Sequence, residues 1–198
     1  MLTKKVIRIW KRTMSIEKSL IEYCSPTLAK LKTANLFSCK YSEENELNAV
    51  VASWNRYFNG KGIELIVLRK QNGSALVYVC RRNRLELDLD KKGVAEFLAN
   101  YGYESIKVDY AIEKLKSRLK DCDGFPHEIG IFLDYPLEDV KGFIENAGAN
   151  FKCCGCWKVY CNECEAIKLF AKYQKCREVY SRLFYAGTRS IEQLTVKA

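Results

Sequence analysis

A chain of 198 residues, 48% of them hydrophobic, is long enough to bury a sizeable core, and one domain is the default at this length. The 33 basic residues against 24 acidic ones give a formal charge of +9, which attracts polyanions without defining a binding site. No stretch approaches the roughly 18 uninterrupted apolar residues of a membrane-spanning helix, and the N-terminus interleaves charge with apolar side chains instead of forming a secretory signal, so a cytoplasmic protein is expected.

Residues 1–13 read as a basic N-terminal extension, and 14–198 as a single α/β domain. Ile16, Leu20, Ile21 and Tyr23 recur at near-helical spacing, which predicts a short amphipathic helix over 14–24 with Pro26 just past its end. A second helix opens with the acidic residues after Ser42, carries Leu47, Val50, Val51, Trp54 and Phe58 as its apolar stripe, and stops at Gly60 and Gly62. Residues 63–68 and 75–80 are rich in β-branched and aromatic side chains, and the Asn72-Gly73 turn between them predicts an antiparallel hairpin.

Helical patterns follow at 92–100 and 109–120, the latter with Tyr110, Ile112, Leu115 and Leu119 opposite a basic face of Lys114, Lys116, Arg118 and Lys120. The apolar run 129–133 reads as a short strand, 137–147 as a helix and 157–160 as the next strand, which together make a βαβ unit with a right-handed crossover. A last helix covers about 162–186, packing through Leu169, Tyr173, Cys176, Tyr180 and Leu183. The expected fold is therefore mixed α/β: a small mixed sheet of about four strands, with a hairpin and a βαβ unit, covered by helices.

The segments 23–29 (YCSPTLA), 75–79 (ALVYV), 125–146 (FPHEIGIFLDYPLEDVKGFIEN) and 157–160 (WKVY) together resemble a bacterial domain-of-unknown-function family, number 3793, found mainly in anaerobes. The resemblance runs collinearly from about Met14 to the C-terminus. It implies no activity. The chain departs from the family pattern at Asp134, where glycine is usual, and at Cys156 and Cys161, where tyrosine and glycine are usual. Aspartate tolerates a positive φ better than most residues, so the turn at 134 can survive.

Ten cysteines in a chain without an export signal imply free thiols or metal ligands rather than a disulfide scaffold. Cys153, Cys154, Cys156, Cys161 and Cys164 include two Cys-x-x-Cys pairs and are the candidate metal ligands, for zinc or iron, with no metal as the default. A single four-cysteine site is disfavoured, because a strand over 156–161 would part its ends by roughly 16 Å at about 3.3 Å per residue. His127 is the only histidine, and the thiol-enzyme reading pairs it with Cys24, placed by Pro26 at the start of a short helix whose dipole would favour a thiolate. Asn150, Asn162 and Asp139 are candidates to orient the imidazole, since Glu128 should point away from it.

Three functions stay open on these residues. The first is a cytosolic thiol-dependent enzyme using Cys24 and His127. The second is a thiolate metal-binding or redox module. The third is a protein binding nucleic acid or another polyanion through Arg81, Arg82, Arg84, the basic face of 114–120 and Lys168, Lys172, Lys175 and Arg177, with Tyr101, Tyr103 and Tyr110 for stacking.

Overall fold

A computed structural model describes residues 4–121 and 125–197. The chain comprises two compact units, Met1–Arg81 with Cys176–Ala198, and Arg82–Lys175.

The first unit opens with α1 (Lys4–Leu28), which holds the backbone of residues 4–13 in the same helix as 14–24; residues 1–3 of the expected extension lie outside the described residues. Pro26 does not follow the helix but lies inside its last turn, and Lys30, two residues past the helix end, takes φ 59°. Strand β1 (Ala34–Lys40) follows, then α2 (Glu44–Phe58), whose five stripe residues Leu47, Val50, Val51, Trp54 and Phe58 are all buried. Burying side chains of this size contributes about 1.5–3 kcal/mol each. Strands β2 (Ile63–Gln71) and β3 (Ser74–Arg81) form the expected hairpin, with Asn72 and Gly73 at φ 50° and 68° as a primed turn demands.

The sheet has the order β1-β3-β2 and is antiparallel throughout. Phe37 and Cys39 of β1, Leu65 and Val67 of β2, and Ala75, Val77 and Val79 of β3 share one face, which packs on α1 and α2. A bulge between Val67 and Arg69 leaves Leu68 unpaired in the ladder and buries its side chain. At the other end of the chain α9 (Ile191–Leu194) begins with a Ser190/Gln193 capping box and adds Ile191 and Leu194 to the same core. The Arg81 guanidinium is buried and donates to the carbonyls of Thr27, Leu28, Lys61 and Val196 at 2.7–3.2 Å, tying the end of α1, the 59–61 turn and the C-terminal tail together.

The second unit is mostly helical: α3 (Arg82–Leu89), α4 (Val94–Ala99), α5 (Val108–Asp121), α6 (Ile129–Phe132), α7 (Leu137–Glu145) and the first half of α8 (Glu163–Tyr185), a helix shared with the first unit. In α5 the buried stripe is Val108, Ala111, Ile112, Leu115 and Leu119; Tyr110, expected on it, is exposed. Strands β4 (Cys153–Cys154) and β5 (Lys158–Val159) pair antiparallel as a short hairpin.

The mixed α/β class therefore holds, while the βαβ unit does not form: residues 129–133 build a helical turn, not a strand, and the 157–160 strand pairs with its own hairpin partner. A five-residue apolar run buried on every side suits either structure, and only its neighbours decide. Gly130 packs against Val140 and Tyr135 so closely that a Cβ there would lie 2.7 Å from the valine. Asp134, φ 62°, supplies the left-handed turn that the sequence departure at this position allowed. Among the described residues no helix is long and apolar enough to cross a membrane.

Candidate functional site

The two halves of the expected Cys24–His127 pair belong to different units. Cys24 packs in the first unit's core with no solvent exposure. It lies near the end of α1 rather than at the start of a new helix, so the dipole there opposes a thiolate instead of favouring it. Burial pushes its thiol well above the usual range, and the nearby Lys32 and Arg177 charges only partly offset this. The sequence expectation of a reachable nucleophile at Cys24 is corrected: this side chain is a small apolar group of the core.

His127, by contrast, is exposed and lies in the second unit, in the turn that leads into α6. Its ring stands edge-on against Phe143 with centroids 5.0 Å apart. The next residue anchors this turn: Glu128 is fully buried and receives Arg118 Nε of α5 at 2.7 Å, and Arg118 in turn lies over the Tyr101 ring. Glu128 is thus committed to Arg118 in a helical turn, not placed by the alternation of a strand.

Next to His127 the second unit holds a cavity of about 320 Å³. One wall is aromatic and aliphatic, from Phe125, Ile129, Val140 and Phe143. The other is the β4–β5 hairpin, which contributes Cys154, Gly155, Cys156, Trp157 and Lys158. The Trp157 indole stacks on Tyr135 at 4.8 Å and meets the edge of Phe170 at 4.6 Å, and Tyr135 donates its hydroxyl hydrogen to the Cys156 carbonyl at 3.1 Å. Gly155 passes so close to Phe170 that the turn has no room for a side chain. Lys158 Nζ donates to the Gly148 carbonyl at 2.7 Å, and sits 5.7 Å from the Phe143 centroid and 4.9 Å from that of Phe151.

Asp139 fastens this wall. From the first turn of α7 its carboxylate accepts hydrogen bonds from Trp157 Nε1 at 2.8 Å, Tyr160 N at 2.7 Å, Cys161 N at 3.0 Å and Cys161 Sγ at 3.1 Å. Burial acts to raise its pKa, yet the bonds from Tyr160, Cys161 and Trp157 prevail and hold the carboxyl below the ordinary range. These bonds commit both Asp139 oxygens to the hairpin. The Asn150 amide donates to Asn146 at 3.3 Å, and Asn162 is exposed at the start of α8.

The cysteine cluster is spread along the hairpin and beyond it. Cys153 pairs with Val159 and Cys154 with Lys158, so the chain doubles back at 155–157 and Lys158–Val159 is the strand within the expected 157–160. Cys161 bonds to Asp139, and Cys164 is exposed in the first turn of α8. Burial and the Asp139 carboxylate both raise the Cys161 pKa. Among the described residues no three His, Cys, Asp or Glu side chains are grouped so as to hold a metal ion, so the zinc or iron expectation for Cys153, Cys154, Cys156, Cys161 and Cys164 finds no converging ligand set.

The basic groups are largely committed. Arg81 is buried rather than displayed, Arg82 pairs with Asp109, Arg84 lies 3.9 Å from Asp134, Lys116 pairs with Glu113 and Lys168 with Glu165. Tyr103, expected as a stacking platform, is buried against Phe132. Sequence reasoning chose His127 and the 153–164 cysteines but missed Tyr135, Phe143 and Lys158. The available signal was the density of aromatic residues between 125 and 170 around the lone histidine.

No curated protein and no solved structure matches the chain. The model of one family, described as a protein of unknown function (DUF3793), matches residues 20–195, which covers the whole second unit, most of the first and the whole cavity lining. The chain belongs to that family.

Proposed function

We propose that the second unit binds a small planar ligand with an anionic end. The observation that carries this reading is the 320 Å³ cavity itself: aromatic and aliphatic walls with few polar groups at one side are what small-molecule sites are made of. The rings of Phe125, Phe143 and Trp157 offer stacking surface, and the Lys158 ammonium offers the one lysine charge in the lining. A reducing, cytoplasmic setting belongs to the proposal, because Cys154 and Cys156 line the cavity as thiols that oxidation would alter.

Isothermal titration of the full chain with 2-naphthoate tests the reading, with naphthalene as the neutral control. One saturable site is expected, with naphthoate affinity falling about tenfold in Lys158→Met, the scale of one exposed-to-partly-buried charge contact. Absence of saturable binding, or equal affinity for both probes in both proteins, refutes it.

A further inference from the structure

We propose that the cavity is also a reactive site, in which Cys154 is acylated by a planar aryl ester or thioester and His127 carries the proton. This rests on the ligand-binding reading and names its substrate class. Three groups of complementary chemistry line one cavity: the exposed Cys154 thiol, the exposed His127 imidazole and the Lys158 ammonium. Cys154 and Lys158 are directly opposite in the antiparallel hairpin, so their side chains stand on the same face. His127 from the turn before α6 and Lys158 from the hairpin both approach the Phe143 ring, the imidazole centroid at 5.0 Å and Lys158 Nζ at 5.7 Å from its centre.

The chemistry follows from this placement. The sulfur of Cys154 attacks the acyl carbon and an S–C bond forms, while the carbonyl π electrons move onto oxygen. Lys158 is the cation available to that developing negative charge. Collapse of the adduct breaks the bond from the acyl carbon to the leaving oxygen or sulfur. The thiol proton passes through His127 to the leaving group, so a thioester on Cys154 and a phenol or thiol are the products. No oxidant, reductant or metal enters the balance. The aromatic walls of Phe125, Phe143 and Trp157 account for the preference for a flat group on the substrate.

The test is p-nitrophenyl acetate with the full chain, read by nitrophenolate release and by peptide mass mapping. Cys164, exposed in the same unit but outside the cavity lining, is the internal reference thiol. Acetylation is expected at Cys154 first, with a burst of one nitrophenolate per chain that is lost in Cys154→Ser. His127→Ala should slow the burst roughly a hundredfold and remove the imidazole limb of its pH profile, while leaving Cys164 acetylation unchanged. Saturating 2-naphthoate should protect Cys154 and not Cys164. Equal rates at Cys154 and Cys164, or a burst that His127→Ala does not change, overturns the proposal. Naphthoate binding by calorimetry together with either of those results leaves the binding reading standing and removes only the acylation.

Discussion

Removing the Asp139 carboxylate, which holds the β4–β5 hairpin from α7, should destabilise the second unit strongly. It accepts four hydrogen bonds from three residues, Trp157, Tyr160 and Cys161, none of which neighbours it in sequence. A hydrogen bond to a charged group is worth about 1.5–3 kcal/mol, and the bonds share one acceptor, so they do not add in full. Asp139→Ala strands the Trp157 indole N–H and the Tyr160 amide, both in the buried or part-buried zone, and should destabilise by about 3–5 kcal/mol. The folded pKa lies below the unfolded value of about 3.9. Its contribution is therefore fully present above that value and is lost as pH falls through the lower folded one, so stability of the native protein should fall in that acid range more steeply than stability of the variant. Urea unfolding of Asp139→Ala, Trp157→Phe and the double variant measures the coupling, expected at about 1–2 kcal/mol. A loss below about 1 kcal/mol in Asp139→Ala, or zero coupling to Trp157, would refute the reasoning.

Arg81→Met should destabilise the first unit by about 2–4 kcal/mol, because the Lys61 and Val196 carbonyls lose their donor and those of Thr27 and Leu28 keep only a backbone N–H; chemical denaturation checks it, and a loss under about 1 kcal/mol would refute the tie between these three segments. Iodoacetamide on the native chain should label Cys154 and Cys164 and leave Cys24 untouched until denaturant is added, since Cys24 is buried and its thiol is held protonated; rapid native labelling of Cys24 would contradict the core placement.

Elements built on a local period or a local turn were legible in the chain itself. Helix α2 shows its five buried positions as an uninterrupted 3.6-residue stripe, and the β2–β3 hairpin announces itself through Asn72-Gly73, whose positive φ values few other pairs adopt so readily. The lone His127 and the thiols at 154 and 156 were likewise visible as candidate side chains, though not the cavity they line. What depended on partners distant in sequence was not. Strand β1 has little β-branched content and exists because β3 offers it a ladder. Residues 129–133 are apolar enough for strand or helix, and the packing of Gly130 against Val140 selects the helix. Pro26 looked like a helix boundary, yet the burial of Leu28 and the carbonyl bonds to Arg81 hold the last turn of α1 past it, which turned Cys24 from a candidate nucleophile into core. Local chemistry names the reactive groups of a chain, and only the tertiary structure, through burial and through which segments it folds against each other, decides which of them meet water and one another.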